Sequence, residues 1–334
     1  MKVTLRIRDI DAPIEAEMGT TVLAAALAAD VPFKHSCQSG NCGACKCELI
    51  DGDIMVMPHS EYALTPEDAE DGFILACRSS MWGDTEVAFL NDLAIHPMRD
   101  LICTVTSHEK VTHDVAVIRA KIGEGGPYTF EPGQFARVTM PNGASRDYSM
   151  ASQSGEDVLE FQIRRIEGGF ASTYAFDSLS VDDELEIHGP FGSAWWRPSH
   201  EGTLLAIAGS TGLAPMQSII ETALKSQSPQ TIHLYLGVRE ERDLYHLERM
   251  TALSDAHNNF SFVPVLSDVA SHASYRTGFV TDAIRNDFES LEGAHVYMAG
   301  PPAMVEASVA LAKSIGADGR NCHADVFFTA EAAA

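Results

Sequence analysis

Cys37, Cys42, Cys45 and Cys77 constrain this chain more than any other residues: they run C-x4-C-x2-C, with a fourth thiol after a gap of 31 residues. Three thiolates on one tight loop and a fourth brought in by the fold are the donor set and spacing of a [2Fe–2S] cluster, which moves one electron at a time. The loop residues between them, Gln38, Ser39, Gly40, Asn41, Gly43 and Ala44, are small or polar. Such residues let backbone N–H groups turn inward toward sulfur, where hydrogen bonds help set the potential. A zinc ribbon asks for two separated C-x2-C knuckles, and only Cys42 and Cys45 form one. Cys47 competes with Cys77 for the fourth place. Cys77 is preferred because it follows the strand-like Phe73-Ile74-Leu75-Ala76, whereas Cys47 continues the alternation of Cys45 to Leu49 away from the loop. Cys103 and Cys322 lie outside the motif and read as packing residues.

The 334 residues leave room for two or three domains, each with its own core. Seven cysteines, four of them claimed by a cluster, argue against a secreted disulfide scaffold. Met1 to Arg8 alternates apolar and charged residues as a strand does and lacks the apolar core of a signal peptide. No run approaches the roughly 18 apolar residues of a membrane helix. The expectation is a soluble, cytoplasmic protein with no membrane partner. A net charge of −24 also disfavours nucleic acid. Residues 1–93 alone hold 16 Asp and Glu against 6 Lys and Arg. That acidity either steers a basic partner or serves solubility.

Three segments follow one another. Residues 1–93 read as a small α+β ferredoxin domain: a hairpin of Lys2 to Ile7 and Pro13 to Glu17, a helix from Val22 capped by Thr20 or Thr21, the cysteine loop, and a helix signalled by Thr65-Pro66-Glu67-Asp68. Residues 94–100 read as linker. Residues 101–200 are strand-rich, with runs near 102–106, 115–120, 135–140, 147–150, 159–166 and 185–188, punctuated by Gly and Pro as in an antiparallel β-barrel. In residues 201–334 apolar strands near 204–208, 232–237, 260–265 and 296–299 alternate with helical stretches, the βαβ pattern of an α/β parallel sheet.

Two groups of residues in the later segments suit cofactors. Alternation on a strand puts Arg146 and Tyr148 of Arg146-Asp147-Tyr148-Ser149 on one face, so that a guanidinium can pair a pyrophosphate while a phenol lies against an isoalloxazine. Ser149 can offer its hydroxyl and N–H at the flavin edge. Gly168-Gly169-Phe170-Ala171-Ser172 then opens a helix whose N–H groups suit phosphate. Farther on, Gly209-Ser210-Thr211-Gly212 ends a strand and leads into a helix, and Gly300-Pro301-Pro302 follows a later strand. Glycine turns at strand ends let backbone approach the pyrophosphate of a nicotinamide nucleotide.

In these motifs the chain resembles the ferredoxin–NADP reductase superfamily with a plant-type (β-grasp) ferredoxin fused ahead of it. The resemblance implies that Arg146, Tyr148 and Ser149 contact flavin, that Gly168, Gly169 and Ser172 bind its pyrophosphate, and that Ile163, Arg164 and Arg165 lie along its ribityl and phosphate. A pyrophosphate site implies FAD rather than FMN. Gly209, Thr211, Gly212, Gly300 and Pro301 match the superfamily's G-x-T-G-x-A-P and C-G-P-P elements, except that Ala299 stands where relatives often carry Cys. Hydride transfer must then rely on positioning, with Tyr148 and Ser149 as the residues at the reacting ring. His323 to Phe328 either lays an aromatic ring over the flavin or packs in the core. After the second strand, Glu240 and Glu241 suit a free ribose hydroxyl, while Arg239 or Arg242 could attract a 2′-phosphate; the acids favour NADH.

The parts imply one relay. Nicotinamide gives up two electrons together, a [2Fe–2S] centre takes one, and a flavin connects the two. No clustered O2-activating ligand set stands out, so the final substrate is transformed elsewhere. The ferredoxin–FAD–NAD order resembles reductase components of Rieske aromatic-ring-hydroxylating dioxygenases, which implies a Rieske ferredoxin or terminal oxygenase as partner. Reductases of diiron monooxygenases for phenol or methane, and of a deoxysugar dehydrase, share that order. A redox-sensing or carrier module without turnover is the non-enzymatic alternative.

Overall fold

The computed structural model describes residues 1–8, 10–31, 33, 35, 37–41, 43–90, 96–268 and 275–328. These fall into two compact units, residues 1–95 with 191–193, and residues 96–190 with 194–334. The cysteine at position 42 and residues 94 and 95 of the expected linker lie outside the described residues.

In the first unit, Lys2–Ile7 (β1), Ile14–Glu17 (β2), Val22–Ala28 (α1), Lys46–Val56 (β3), Pro66–Glu70 (α2), Phe73–Leu75 (β4) and Ser79–Ala88 (β5) form a mixed sheet of order β2-β1-β5-β3-β4. Strand β1 alternates, burying Val3, Leu5 and Ile7 on one face, which the helix α1 covers with Val22, Leu23, Ala25 and Ala26. Thr21 starts α1 by accepting the Ala24 N–H at 3.1 Å. At α2, Thr65 and Asp68 form a reciprocal capping box with Pro66 at the first position.

The second unit begins with Arg99–Lys110 (β6), Val115–Glu124 (β7), Phe135–Thr139 (β8), Ser145–Ser149 (β9), Val158–Arg164 (β10), Phe170–Asp177 (α3) and Glu184–Phe191 (β11). Its sheet has the order β10-β7-β6-β11-β8-β9. An antiparallel bridge between Met150 and Phe161, and the Ala151 N–H donating to the Glu160 carbonyl at 2.8 Å, join the two edge strands and close the barrel. Leu101, Ile118, Val138, Leu159 and Phe161 fill its interior.

The remainder is a parallel sheet flanked by helices: Thr203–Gly209 (β12), Leu213–Lys225 (α4), Thr231–Val238 (β13), Leu247–Ala256 (α5), Phe260–Leu266 (β14), Arg276–Thr277 (β15), Val280–Asp287 (α6), His295–Gly300 (β16), Pro302–Ser314 (α7) and Cys322–Val326 (β17). The order is β15-β14-β13-β12-β16-β17. Strands β12 and β16 lie side by side at the centre, and the chain reverses direction across the sheet between them. In such sheets ligands bind beyond the carboxyl ends of the strands at that switch. The expected multidomain class, an α+β ferredoxin domain, an antiparallel barrel and an α/β parallel-sheet domain, is the observed architecture.

Candidate functional site

Cys37, Cys45 and Cys77 come together around the first unit's loop, with Cys45 and Cys77 buried. Left-handed backbone at Gln38, Gly40 and Gly43, with φ of 53°, 81° and 67°, coils the loop. Gly40 has no room for a side chain: a Cβ there would meet Arg78 Cγ at 2.8 Å and His59 Cβ at 2.9 Å. The N–H groups of Ser39 and Asn41 donate to Cys37 Sγ at 3.5 and 3.3 Å, and the Cys77 N–H donates to Cys45 Sγ at 3.4 Å. A single turn of 3-10 helix, Ala76–Arg78, delivers Cys77 from β4. The hydrogen bond with the Cys45 thiol is the main cause that holds the Cys77 thiol below its ordinary value, helped by the Gly40 backbone and Arg78 against burial and the neighbouring Cys37. Amides aimed at sulfur and a depressed thiol fit a [2Fe–2S] cluster. Cys47 is fully buried in the core, and burial pushes its thiol up to about 12.

In the barrel, β9 carries Arg146 and Tyr148 on one face, opposite Val138 and Ala136 of β8. Asp147 takes the other face and pairs with Arg137 at 2.9 and 3.1 Å. Arg146 is exposed. The Tyr148 Oη is buried without a hydrogen-bond partner among the described residues, and burial pushes this phenol up to about 12, so it is protonated at neutral pH. A buried donor left unmatched costs about 1–3 kcal/mol. The polar edge of a flavin would supply the missing acceptor, and in this respect the residues fit FAD.

Of the neighbouring candidates, Ile163 points into the barrel core. Arg164 Nε donates to Asp114 Oδ2 at 2.6 Å, and Arg165 pairs with Asp177 at 3.4 Å while lying over the Phe176 ring. Both arginines therefore already have partners within the protein. Gly168 has a φ of 72° and open space around it, whereas a Cβ on Gly169 would meet Ser172 Oγ at 2.6 Å. The Ser172 hydroxyl accepts the Ile166 N–H at 3.1 Å and so holds the turn itself. Among the described residues no side chain caps α3, which leaves its first amides for an anion.

The nucleotide turns pack on each other. A Cβ on Gly209 would meet Met304 Sδ at 2.7 Å and Pro301 Cδ at 2.8 Å, one on Gly212 would collide with the Ala299 carbonyl, and one on Gly300 would meet Gly209 Cα at 3.0 Å. These glycines first permit the ends of β12 and β16 to approach. Thr211 lies half-buried in the turn, and among the described residues no side chain caps α4 or α7, which Pro301 precedes. Beyond β13, Arg239 is exposed, and Arg242 donates to Glu240 at 3.2 Å.

One residue here escaped the motif reading. Asp325 on β17 stands in register with Ala299, and its Oδ2 accepts the Ser149 hydroxyl at 2.9 Å. Burial is the main cause that pushes this carboxyl up to about 6, with Asp147 adding to it and the Ser149 hydrogen bond opposing. The only signal for it is tertiary, because 176 residues separate the pair. Phe327 packs against the core of the parallel-sheet domain, and Phe328 is exposed.

Three family models match: a 2Fe-2S iron-sulfur cluster binding domain over residues 5–81, an oxidoreductase FAD-binding domain over 102–196 and an oxidoreductase NAD-binding domain over 206–310. The ferredoxin–NAD(P)+ reductase component of the naphthalene 1,2-dioxygenase/salicylate 5-hydroxylase systems of Ralstonia sp. is 36% identical over 97% of this chain and 98% of its own length. The reductase subunit of an aromatic O-demethylase from Amycolatopsis sp. is 38% identical over 94% and 96%. Among solved structures, an Amycolatopsis cytochrome P450 reductase superposes with a TM-score of 0.75 at 36% identity, covering 97% of this chain and 98% of that one. The cysteine loop, the barrel strand that bears Tyr148 and Ser149, and the paired glycine turns thus lie inside three matched domains, and the chain belongs to the family of [2Fe–2S], FAD- and NAD-binding oxidoreductases that serve as ferredoxin–NAD(P)+ reductase components.

Proposed function

We propose that the protein takes electrons from NADH and passes them, through FAD and then the [2Fe–2S] cluster held by Cys37, Cys42, Cys45 and Cys77, to the ferredoxin or terminal oxygenase component of an aromatic-ring-hydroxylating Rieske system. The observation that carries this reading is the presence, on one chain, of a thiol loop with amides aimed at sulfur, an unmatched buried Tyr148 hydroxyl, and two glycine turns at the switch of a parallel sheet. When bound, FAD would supply the chemistry that links a two-electron hydride donor to a one-electron cluster. The chain's own residues do the rest. Arg146 and the open start of α3 would hold the phosphate of FAD, Tyr148 would donate it a hydrogen bond, and Ser149, whose hydroxyl Asp325 orients, would border its reacting edge. Gly209, Thr211, Gly212, Gly300 and Pro301 receive the nucleotide pyrophosphate.

Preference for NADH is supported by Glu240, whose carboxylate takes the Arg242 guanidinium at 3.2 Å and so engages one of the two arginines that could attract a 2′-phosphate. The domain limits we propose are 1–93, 101–200 and 201–334, with 94–100 as linker, of which Arg99 and Asp100 already form the start of β6. The naphthalene dioxygenase relative supports the Rieske partner, and the P450 reductase structure supports a second reading in which the acceptor is a cytochrome P450. An anaerobic titration followed by visible and EPR spectroscopy tests the relay, with about three electrons expected per chain, two on flavin and one on the cluster. A protein holding iron but no flavin would end the proposal. Reconstitution with a purified Rieske oxygenase and, separately, with a P450 decides between the acceptors through product formation.

A further inference from the structure

The strands that carry the flavin candidates and the helix that continues the nucleotide turn meet through buried side chains that satisfy one another. Gln217 of α4, fully buried, donates from Nε2 to the Ala151 carbonyl at 3.1 Å and to Glu160 Oε1 at 3.0 Å. Its Oε1 accepts from Gln162 Nε2 at 2.9 Å. The next residue, Ser218, also fully buried, donates to the Ser152 carbonyl at 2.7 Å. Two consecutive side chains of α4 thus hold two consecutive carbonyls in the segment that leaves β9 just after Ser149. Tyr245 Oη donates to Gln162 Oε1 at 2.7 Å and lies 3.4 Å from the Ser210 carbonyl, inside the nucleotide turn. Glu160 is anchored in turn by Arg119 at 2.7 Å, with Arg249 at 3.9 Å.

Apolar side chains of similar volume would make such an interface at least as stable. What the polar set adds is a single register. A glutamine amide has distinct ends, and sliding α4 by one residue would break the bonds that Gln217 and Ser218 make with Glu160, Gln162 and the Ala151 and Ser152 carbonyls in a dry interior. Hydride transfer is the step that needs such register, because the reacting atoms must meet at roughly 3–3.5 Å with aligned orbitals. Ala299, near the end of β16, offers only a methyl side chain there.

We propose that Gln217 and Ser218, together with Tyr245, are positioning residues for hydride transfer: they fix the start of α4, and with it the nucleotide turn, against the strand that presents Ser149. The inference rests on the reading of the protein as an NADH-to-FAD reductase. The test uses the full chain loaded with FAD and cluster, and compares Gln217→Met, Ser218→Ala and Tyr245→Phe with the parent by anaerobic stopped-flow reduction. The limiting rate of flavin reduction is expected to fall about ten- to a hundredfold in Gln217→Met and severalfold in the other two. FAD per chain and half-saturating NADH should change by less than about twofold, and Ser218→Thr, which keeps the hydroxyl, should restore the rate. Independently of turnover, amide exchange across residues 209–218 without nucleotide should accelerate in the variants. Parental limiting rates alongside nothing more than a lower melting temperature would overturn the inference alone, as would a loss confined to NADH affinity. If Gln217→Met does not fold, Ser218→Ala and Tyr245→Phe decide it, each lacking one hydroxyl. A parent chain that binds FAD but is not reduced by NADH would overturn the functional reading and this inference together.

Discussion

At the scale of single residues, glycines with the same motif standing have different physical reasons to be glycine. Gly212 presses against the Ala299 carbonyl, so Gly212→Ala must push β12 away from β16 and should cost several kcal/mol, on the order of 3, along with NAD+ affinity. Gly168 faces open space and is constrained only by its φ of 72°, so Gly168→Ala should cost about 1 kcal/mol and leave NAD+ affinity unchanged. Thermal melts paired with NAD+ titrations separate the two; equal losses would refute the distinction. Asp325 gives a second case. Its carboxyl is raised from 3.8 to about 6 in the fold, so the folded state disfavours the charged form. This penalty is absent below about pH 3.8, grows as pH rises through the folded value, and is complete above it, where it amounts to about 3 kcal/mol. Asp325→Asn should therefore be more stable than the parent at pH 7.5 and no more stable at pH 4, as read from urea midpoints. The thiols and glycines were visible in the sequence because their spacing is local. Asp325, and the ion pair that engages Arg164 with Asp114, were not, because the partners come from segments far apart in the chain.

At the scale of elements, local chemistry was most readable where it was self-contained. The run Thr65-Pro66-Glu67-Asp68 signals a helix start, and both halves of its capping box are formed, with Thr65 Oγ1 accepting from Asp68 N–H and Asp68 Oδ2 from Thr65 N–H, each at 3.1 Å. Asp68 also takes Lys46 at 2.5 Å, which ties the cap to the first residue of β3 just beyond Cys45. Thr65→Ala should cost about 1 kcal/mol and show as a lower midpoint for bleaching of the cluster absorbance, with the flavin absorbance unaffected; an unchanged midpoint would mean that the cap is not what holds α2. Strand β3 was legible only at its start. Its middle, Asp51-Gly52-Asp53, has the composition of a turn, yet the strand continues to Val56 by taking two register shifts against β5. Gly52, at a φ of 138°, allows this where a Cβ would meet Thr85 at 2.8 Å. Strand β17 escaped for a related reason: Cys322–Val326 is short and only half-buried at the sheet edge, with no alternation for a pattern to catch.

At the scale of the whole molecule, the order of segments could be read from changes of rhythm, whereas the union of barrel and parallel sheet in one unit could not, since it depends on pairs such as Gln162 with Gln217 that are 55 residues apart. Charge is the molecular property that composition does report, and its consequence is kinetic. A chain of net charge −24 attracts a basic electron acceptor and repels an acidic one over distances of about a Debye length, roughly 10 Å at 0.1 M ionic strength and 3 Å at 1 M. The first 93 residues carry 16 acids against 6 bases, so the effect should be felt at the segment that holds the cluster thiols. NADH-driven reduction of cytochrome c, a basic acceptor, is therefore expected to slow about tenfold or more between 0.02 and 0.5 M salt. Reduction of ferricyanide, an anion, should hold steady or accelerate over the same range. Flavin reduction by NADH, measured in parallel, controls for any effect of salt inside the chain. If the two acceptors respond alike while that internal step stays constant, the acidity serves solubility and does not steer the partner.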